Sequence, residues 1–211
     1  MILSNFKSTV LIWFLVLTAC GNTPKTNTNN QIEENTKTEE PKPIMVGANN
    51  TNAYLPLLKG KKIAVVANQT SVIFKNDNSY THLVDSLLSL KIDIKKVFAP
   101  EHGFRGKADA GEHVKDGIDS KTGLEIKSLH GKSRKPCAEL LKGLDVVLFD
   151  IQDVGVRFYT YIATMQLVME ACAENNIKVI VLDRPNPNAH YVDGPTMETE
   201  HRGFLGMTNI P

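Results

Sequence analysis

Acidic residues follow several apolar segments of this sequence, and their types could support acid–base chemistry. Glu101, Asp150, Asp153 and Asp183 each come at or shortly after the end of such a segment. Glycoside hydrolysis needs two carboxyl groups across a cleft, one protonated and one acting as base or nucleophile. Glu101 suits the acid role, because partial burial behind apolar residues would raise the pKa of its carboxyl group. His102 beside it is an alternative proton carrier, although a structural hydrogen bond at a tight turn would also explain it.

Further polar and aromatic residues follow the same segments and could bind a ligand. They are Asn68, Arg105, Gln152, Arg157, Tyr159, Tyr161, Arg184 and Asn186. The arginine and the two tyrosines of the stretch 157–161 could hold a sugar or its carboxylate by hydrogen bonding and stacking. Simpler explanations exist: Asp150 and Asp153 could cap the following helix, and aromatic residues at a helix start often serve only packing.

The elements that must position these residues alternate between strands and helices. Continuous apolar runs predict strands buried on both faces at Lys62–Ala67, Ile94–Ala99, Val146–Phe149 and Val179–Leu182. Helical spacing of apolar residues predicts helices at Tyr80–Leu90, Cys137–Leu141 and Tyr159–Glu174. The alternation indicates an α/β fold with a parallel sheet, right-handed crossovers and helices on both faces. Because parallel strands end at a common edge, the polar clusters are expected to meet there.

Several classes of function lack their motifs in this sequence. The phosphate loop GxxxxGK[ST] and the GxSxG elbow are absent, and no GxGxxG follows the first strand. The formal net charge is +1, and no basic stripe is interleaved with aromatic residues, so no nucleic-acid partner is expected. No metal-ligand spacing stands out, and we predict neither a metal nor a cofactor. The glycine-rich loop 101–127 should line the pocket where it begins, with residues 116–123 as a surface excursion.

The first 43 residues predict export rather than a folded domain. Residues 1–20 combine Lys7, the apolar run Val10–Leu17 and the ending LTAC, which resembles the lipobox of bacterial lipoproteins, with Cys20 lipidated. An ordinary secretory signal with an incidental cysteine is the alternative. Residues 21–43 are polar and predict a flexible tether, so residues 44–211 would form one domain. We therefore expect a protein anchored by lipid to the cell envelope.

Three motifs, PEHGFRG, FDIQDVGVRFYTYI and VLDRPNP, together resemble the NamZ family of exo-acting β-N-acetylmuramidases, glycoside hydrolase family 171. The resemblance covers about residues 55–211 and extends to ANQTS, DGIDSKTGLEIKSLHG and VDGPTME. It implies a Rossmann-like domain with a cleft at its strand ends. It also implies release of N-acetylmuramic acid from the non-reducing ends of peptidoglycan fragments during cell-wall turnover.

The same resemblance implies roles for individual residues. Glu101 would be the catalytic acid/base, and Asp153 is chosen as the partner carboxylate over Asp150, which ends a strand and is better suited to ordering the loop. The pocket would be lined by His102, Arg105, Gln152, Arg157, Tyr159, Asp183, Arg184 and Asn186, with Asn68 and Asp150 completing the predicted substrate-binding set.

Family members are longer and carry a smaller second domain, whereas this sequence stops at FLGMTNIP. We therefore expect a fragment that folds but cleaves weakly, because pocket closure and substrate positioning would be incomplete. Two other functions remain open at this point. One is a non-catalytic lipoprotein that binds cell-wall sugars, and the other is a different hydrolase, such as an esterase or phosphatase, that uses the same edge of the sheet.

Overall fold

The computed structural model describes residues 44–109 and 111–211. The predicted export signal, lipidated cysteine and tether lie outside these residues. In chain order the elements are α1 (Thr51–Leu58), β1 (Lys62–Ala67), β2 (Val72–Phe74), β3 (Tyr80–His82), α2 (Leu83–Ser89), β4 (Asp93–Ala99), β5 (Gly117–Ile118), β6 (Glu125–Ser128), α3 (Ala138–Leu141), β7 (Val146–Asp150), α4 (Tyr161–Glu174) and β8 (Lys178–Val181). Among the described residues, no helix has the length and apolar character needed to cross a bilayer.

Six strands form the main sheet in the order β5-β6-β4-β1-β7-β8. All neighbouring strands are parallel except β5 and β6, which are antiparallel. Val65 lies opposite Val97 on one side and Leu148 on the other. The parallel α/β sheet predicted from the apolar runs is confirmed, and the four predicted strands correspond to β1, β4, β7 and β8.

Helices cover both faces of this sheet, as predicted. Alternate residues of β1 point to opposite faces: Ile63 and Val65 pack with α1 and α2, and Ala64 and Val66 pack with α3 and α4. All four β1 side chains are fully buried. A strand enclosed in this way has no polar face, which is why it reads as a continuous apolar run.

The sequence between β1 and β4 folds differently from its prediction. The predicted helix Tyr80–Leu90 begins only at Leu83, because residues 80–82 form β3, which pairs antiparallel with β2. A tight turn joins the two strands: Asn78 has a φ of 62°, and the Asp77 carboxylate accepts hydrogen bonds from the backbone and hydroxyl of Ser79. Turn residues of these types close a hairpin, and that local geometry overrides the helical spacing of the leucines.

Three further elements have no counterpart in the prediction: α1, β5 and β6. β6 alternates acidic, apolar and basic side chains, all only half-buried, and it pairs with the sheet between β4 and the short strand β5. A strand at the margin of a sheet can have such a mixed composition, and a search for apolar runs therefore misses it. Part of the predicted loop 101–127 thus extends the sheet.

Candidate active site

The carboxyl ends of the parallel strands lie along one edge of the sheet, and this edge carries most of the predicted site residues. In spatial order Glu101 follows β4, Asn68 follows β1, Asp153 follows β7 and Asp183 follows β8. The chain runs from β1 outwards to β4 on one side and later returns to β7 on the other side. Connections that leave neighbouring strands in opposite directions open a crevice between them, and the crevice here lies between β1 and β7.

Glu101 is a half-buried carboxylate whose two oxygens both accept hydrogen bonds. Thr160 Oγ1 donates to Oε2 at 2.9 Å, and the backbone N–H of Gly111 donates to Oε1 at 3.0 Å. Burial raises the pKa of Glu101, but these two bonds and the nearby His130 and His102 outweigh burial and lower the pKa below its ordinary value. The predicted rise in this pKa is therefore wrong, and Glu101 is ionised near neutral pH.

His102 adopts a left-handed conformation with a φ of 67°. Its Nδ1 lies 3.0 Å from the carbonyl oxygen of Ala108, which can only accept, so Nδ1 carries a hydrogen, and in the neutral ring the lone pair is on Nε2. The structural hydrogen bond considered from the sequence is thus present. Nε2 is the nitrogen left for any proton transfer.

Asp153 lies in the walls of two cavities of about 540 Å³ and 220 Å³. Its Oδ2 accepts a hydrogen bond from the Gly155 N–H at 2.9 Å. Its Oδ1 is buried and has no hydrogen-bond partner among the residues that the structure describes. A buried oxygen without a partner is costly, so the described residues leave the bonding of this carboxylate incomplete.

Other predicted binding residues surround the same two cavities. The larger cavity is lined by Arg157, whose Nη1 donates to the Pro195 carbonyl, and the smaller one by Asp183. Asn186 lines both, and it packs so closely against Gly155 that a side chain there would overlap it. The positive φ of 71° at Gly155 adds to this requirement for glycine.

Gln152 and Tyr159 lie at the margin of this region. The Gln152 side chain donates to the backbone carbonyls of Asp153 and Pro185 at 2.6 and 2.9 Å, so it ties together the loops after β7 and β8. Tyr159 is 46% exposed, and its ring contacts Tyr161 edge-on at 6.4 Å between centroids. Tyr159 therefore remains available for stacking against a sugar.

Asp150 and Arg184 form a buried ion pair beside the smaller cavity, which Arg184 helps to line. Arg184 Nε and Nη2 donate to the two Asp150 carboxylate oxygens at 2.6 and 2.9 Å, and Asp150 is fully buried. Burial raises the pKa of Asp150, whereas the Arg184 guanidinium opposes that rise. The predicted substrate-binding role does not fit Asp150, because its carboxylate is fully buried and paired. Arg184 does line the smaller cavity, although its guanidinium is paired with Asp150.

Arg105 is likewise committed to other protein groups. Its guanidinium donates to Asp119 at 2.7 Å and to Asp85 on α2 at 2.9 Å. Burial raises the pKa of Asp119, but bonds from Arg105 and Thr122 outweigh it and lower that pKa to about 2. Arg105 therefore clamps the long loop onto α2, and it lines a separate cavity of about 420 Å³ with His102 rather than either cavity at Asp153. Asp119 is only 4% exposed, so the predicted surface excursion is anchored to the domain.

Asn68 is fully buried and organises the loop after β1. Its Oδ1 accepts from the Thr70 backbone N–H at 2.8 Å and from the Thr70 hydroxyl at 2.6 Å. Its Nδ2 has no partner in the described part of the chain. His82 Nε2 contacts the Asn68 carbonyl at 2.9 Å, while His82 Nδ1 caps α2 by accepting from Val84 N–H. Asn68 thus orders the loop at the crevice, and its side chain is fully buried rather than exposed to a ligand.

The sequence reasoning missed Thr160, which touches Glu101, and His82 and Ser71, which hold the loop after β1. A threonine just before a helix signals an N-cap. That signal gives no indication that the hydroxyl reaches a glutamate from another strand.

Comparison with known proteins gives consistent matches. The family described as "Exo-beta-N-acetylmuramidase NamZ, N-terminal" matches residues 63–211. A protein named "Peptidoglycan beta-N-acetylmuramidase NamZ", from Bacillus subtilis strain 168, is 47% identical over 160 residues. Crystal structures of two DUF1343 family proteins from Bacteroides fragilis NCTC 9343 are 44% and 38% identical, with TM-scores of 0.66 and 0.68, and each match covers 79% of this chain.

Each match covers a larger share of this chain than of the relative. The Bacillus subtilis match takes in 75% of this chain but 38% of that relative, and the Bacteroides fragilis matches take in 42% and 41% of those chains. The chain thus spans less than half the length of these relatives. Because the family match extends over most of the described residues, this chain belongs to the NamZ family of exo-β-N-acetylmuramidases.

Proposed function

We propose that this chain supplies the catalytic domain of an exo-β-N-acetylmuramidase. Its substrate would be a peptidoglycan fragment with N-acetylmuramic acid at the non-reducing end, which it releases during cell-wall turnover. The observation that carries the proposal is that the start of α4 lies beside both acidic residues, Glu101 and Asp153. Thr160 bonds to Glu101, and the next residue, Tyr161, lines a cavity together with Asp153.

The proposed chemistry divides the two tasks of glycoside hydrolysis between Glu101 and Asp153. One carboxyl group protonates the leaving oxygen, and the other activates water or attacks the sugar. The lowered pKa of Glu101 favours the base or nucleophile role for it, and Asp153 would then serve the leaving oxygen. His102 Nε2 is the other candidate proton carrier. Arg157, Tyr159, Asp183 and Asn186 would hold the sugar.

The test is an assay on a disaccharide of N-acetylmuramic acid linked to N-acetylglucosamine. We expect free N-acetylmuramic acid to accumulate, as measured by mass spectrometry. Chromogenic phosphate and ester substrates are assayed in parallel, and turnover of those alone would favour the other hydrolase. Saturable binding of the disaccharide without any release would favour a sugar-binding protein and contradict the proposal.

We also propose that residues 1–20 direct export, that Cys20 carries a lipid, and that residues 21–43 tether the domain 44–211 to the envelope. The support is the sequence itself: an apolar run, the ending LTAC and the polar composition that follows. Replacing Cys20 by Ala is expected to move the protein from the membrane fraction to the soluble fraction on cell fractionation. Cys137→Ala, at an exposed free thiol, is the matched control and should stay with the membrane. Equal membrane association of both variants would exclude the lipid anchor.

A further inference from the structure

Thr160 occupies the N-cap position of α4 but does not cap the helix. Ser, Thr, Asp and Asn are preferred at this position because their side chains accept a hydrogen bond from an N–H of the first turn. The Thr160 side chain makes no such bond. Its hydroxyl instead donates to Glu101 Oε2 at 2.9 Å. Since Thr160 is only 9% exposed, water competes little for this bond.

The surroundings of this bond also favour a negative charge on Glu101. The N-terminus of α4, a helix of 14 residues, carries partial positive charge from its unpaired N–H groups. The second Glu101 oxygen is held by Gly111 N–H. The threonine is itself fixed, because Thr164 Oγ1 donates to the Thr160 carbonyl at 3.2 Å. Donors on a carboxylate stabilise its ionised form and fix its orientation.

We propose that Thr160 is a positioning residue for Glu101: its hydroxyl keeps the carboxylate ionised and oriented for the base or nucleophile step. The inference rests on the muramidase function proposed above. Thr160 touches Glu101 and lines neither of the cavities that contain Asp153. It therefore governs the protonation of Glu101 and the rate of the chemical step, while substrate affinity depends on the cavity residues.

The experiment compares Thr160→Val, which has nearly the same shape without the hydroxyl, with Thr160→Ser, which keeps it. The Val variant should move the acidic limb of the kcat/KM pH profile upward by about one pH unit, because a hydrogen bond to a charged group is lost. It should lower kcat at neutral pH with little change in KM, and the Ser variant should restore both. Thr81→Val removes a half-buried threonine hydroxyl on β3, which bonds to neither Glu101 nor Thr160, and should leave the acidic limb in place. An unmoved limb in Thr160→Val, or an equal shift in Thr81→Val, would overturn the proposal.

A second measurement does not depend on activity. The Glu101 carboxyl carbon, assigned by its disappearance in Glu101→Gln, is followed by ¹³C NMR during a pH titration of wild type and both Thr160 variants. A higher pKa in Thr160→Val than in Thr160→Ser and wild type supports the inference, and identical pKa values refute it. If the NMR shift is present but wild type releases no N-acetylmuramic acid, the hydrogen bond stands and the proposed function fails, so the two failures are distinguishable.

Discussion

Glu101→Gln is expected to reduce kcat for release of N-acetylmuramic acid by about 10²- to 10⁴-fold, the range typical of a general acid–base group. The side chain keeps its size but can neither ionise nor carry a transferable proton. The substitution also disturbs the site locally, because both Glu101 oxygens accept hydrogen bonds in wild type, one from Thr160 and one from Gly111 N–H. A glutamine has one acceptor oxygen, and its amide nitrogen would face one of these donors.

The control for this variant is Glu139→Gln. Glu139 is an exposed residue of α3 that lines a different cavity with Leu144 and Ile177, which precede β7 and β8 and so lie near the opposite edge of the sheet. It should leave kcat and KM unchanged. Isothermal titration with the disaccharide measures whether Glu101→Gln still binds. Retained binding with lost turnover supports a catalytic role, and turnover close to that of wild type would remove Glu101 from the mechanism.

The core of the fold could be predicted from sequence because it is encoded locally. A strand buried on both faces has to be apolar throughout, and the predicted Lys62–Ala67 has the same bounds as β1. The predicted helix Tyr159–Glu174 starts two residues early, since α4 runs Tyr161–Glu174 after the N-cap at Thr160. Hairpin β2–β3 was missed because its turn chemistry competes with a helical pattern in the same stretch.

The site was predicted less completely, because partner choice is a matter of tertiary structure. The expectation that acidic residues gather at one edge followed from parallel topology alone. Which carboxylates are free depends on which arginines reach them, and sequence spacing gives no information on this. Arg105 meets Asp85 and Asp119 only because α2 and the long loop pack together. Arg184 meets Asp150 only because β8 lies beside β7.

Arg184→Met is expected to lower the free energy of unfolding by about 3–5 kcal/mol, because it leaves a buried carboxylate without its partner. The double variant Asp150→Val with Arg184→Met should recover much of this loss, since removing both charges also removes the cost of burying them. Lys135→Met breaks an exposed pair with Glu174 and is the control, for which we expect little or no change. Urea unfolding followed by circular dichroism measures all three. A loss in the double variant as large as in Arg184→Met would contradict the argument.

The pH dependence of Arg184→Met tests the same pair independently. Burial already raises the pKa of Asp150 in the folded chain, and loss of the guanidinium removes the charge that opposes this rise. A carboxyl group with a folded pKa above its unfolded value stabilises the fold while it is protonated and loses that contribution as pH rises through the folded pKa. The loss in free energy of unfolding of Arg184→Met relative to wild type should therefore be smaller at about pH 5 than at about pH 8.

Arg184 also donates to the Val72 carbonyl, and Ser71 donates to the Asp150 carbonyl. The pair thus joins the segments that follow β1, β7 and β8, and because those segments carry the crevice, turnover should fall with stability in Arg184→Met.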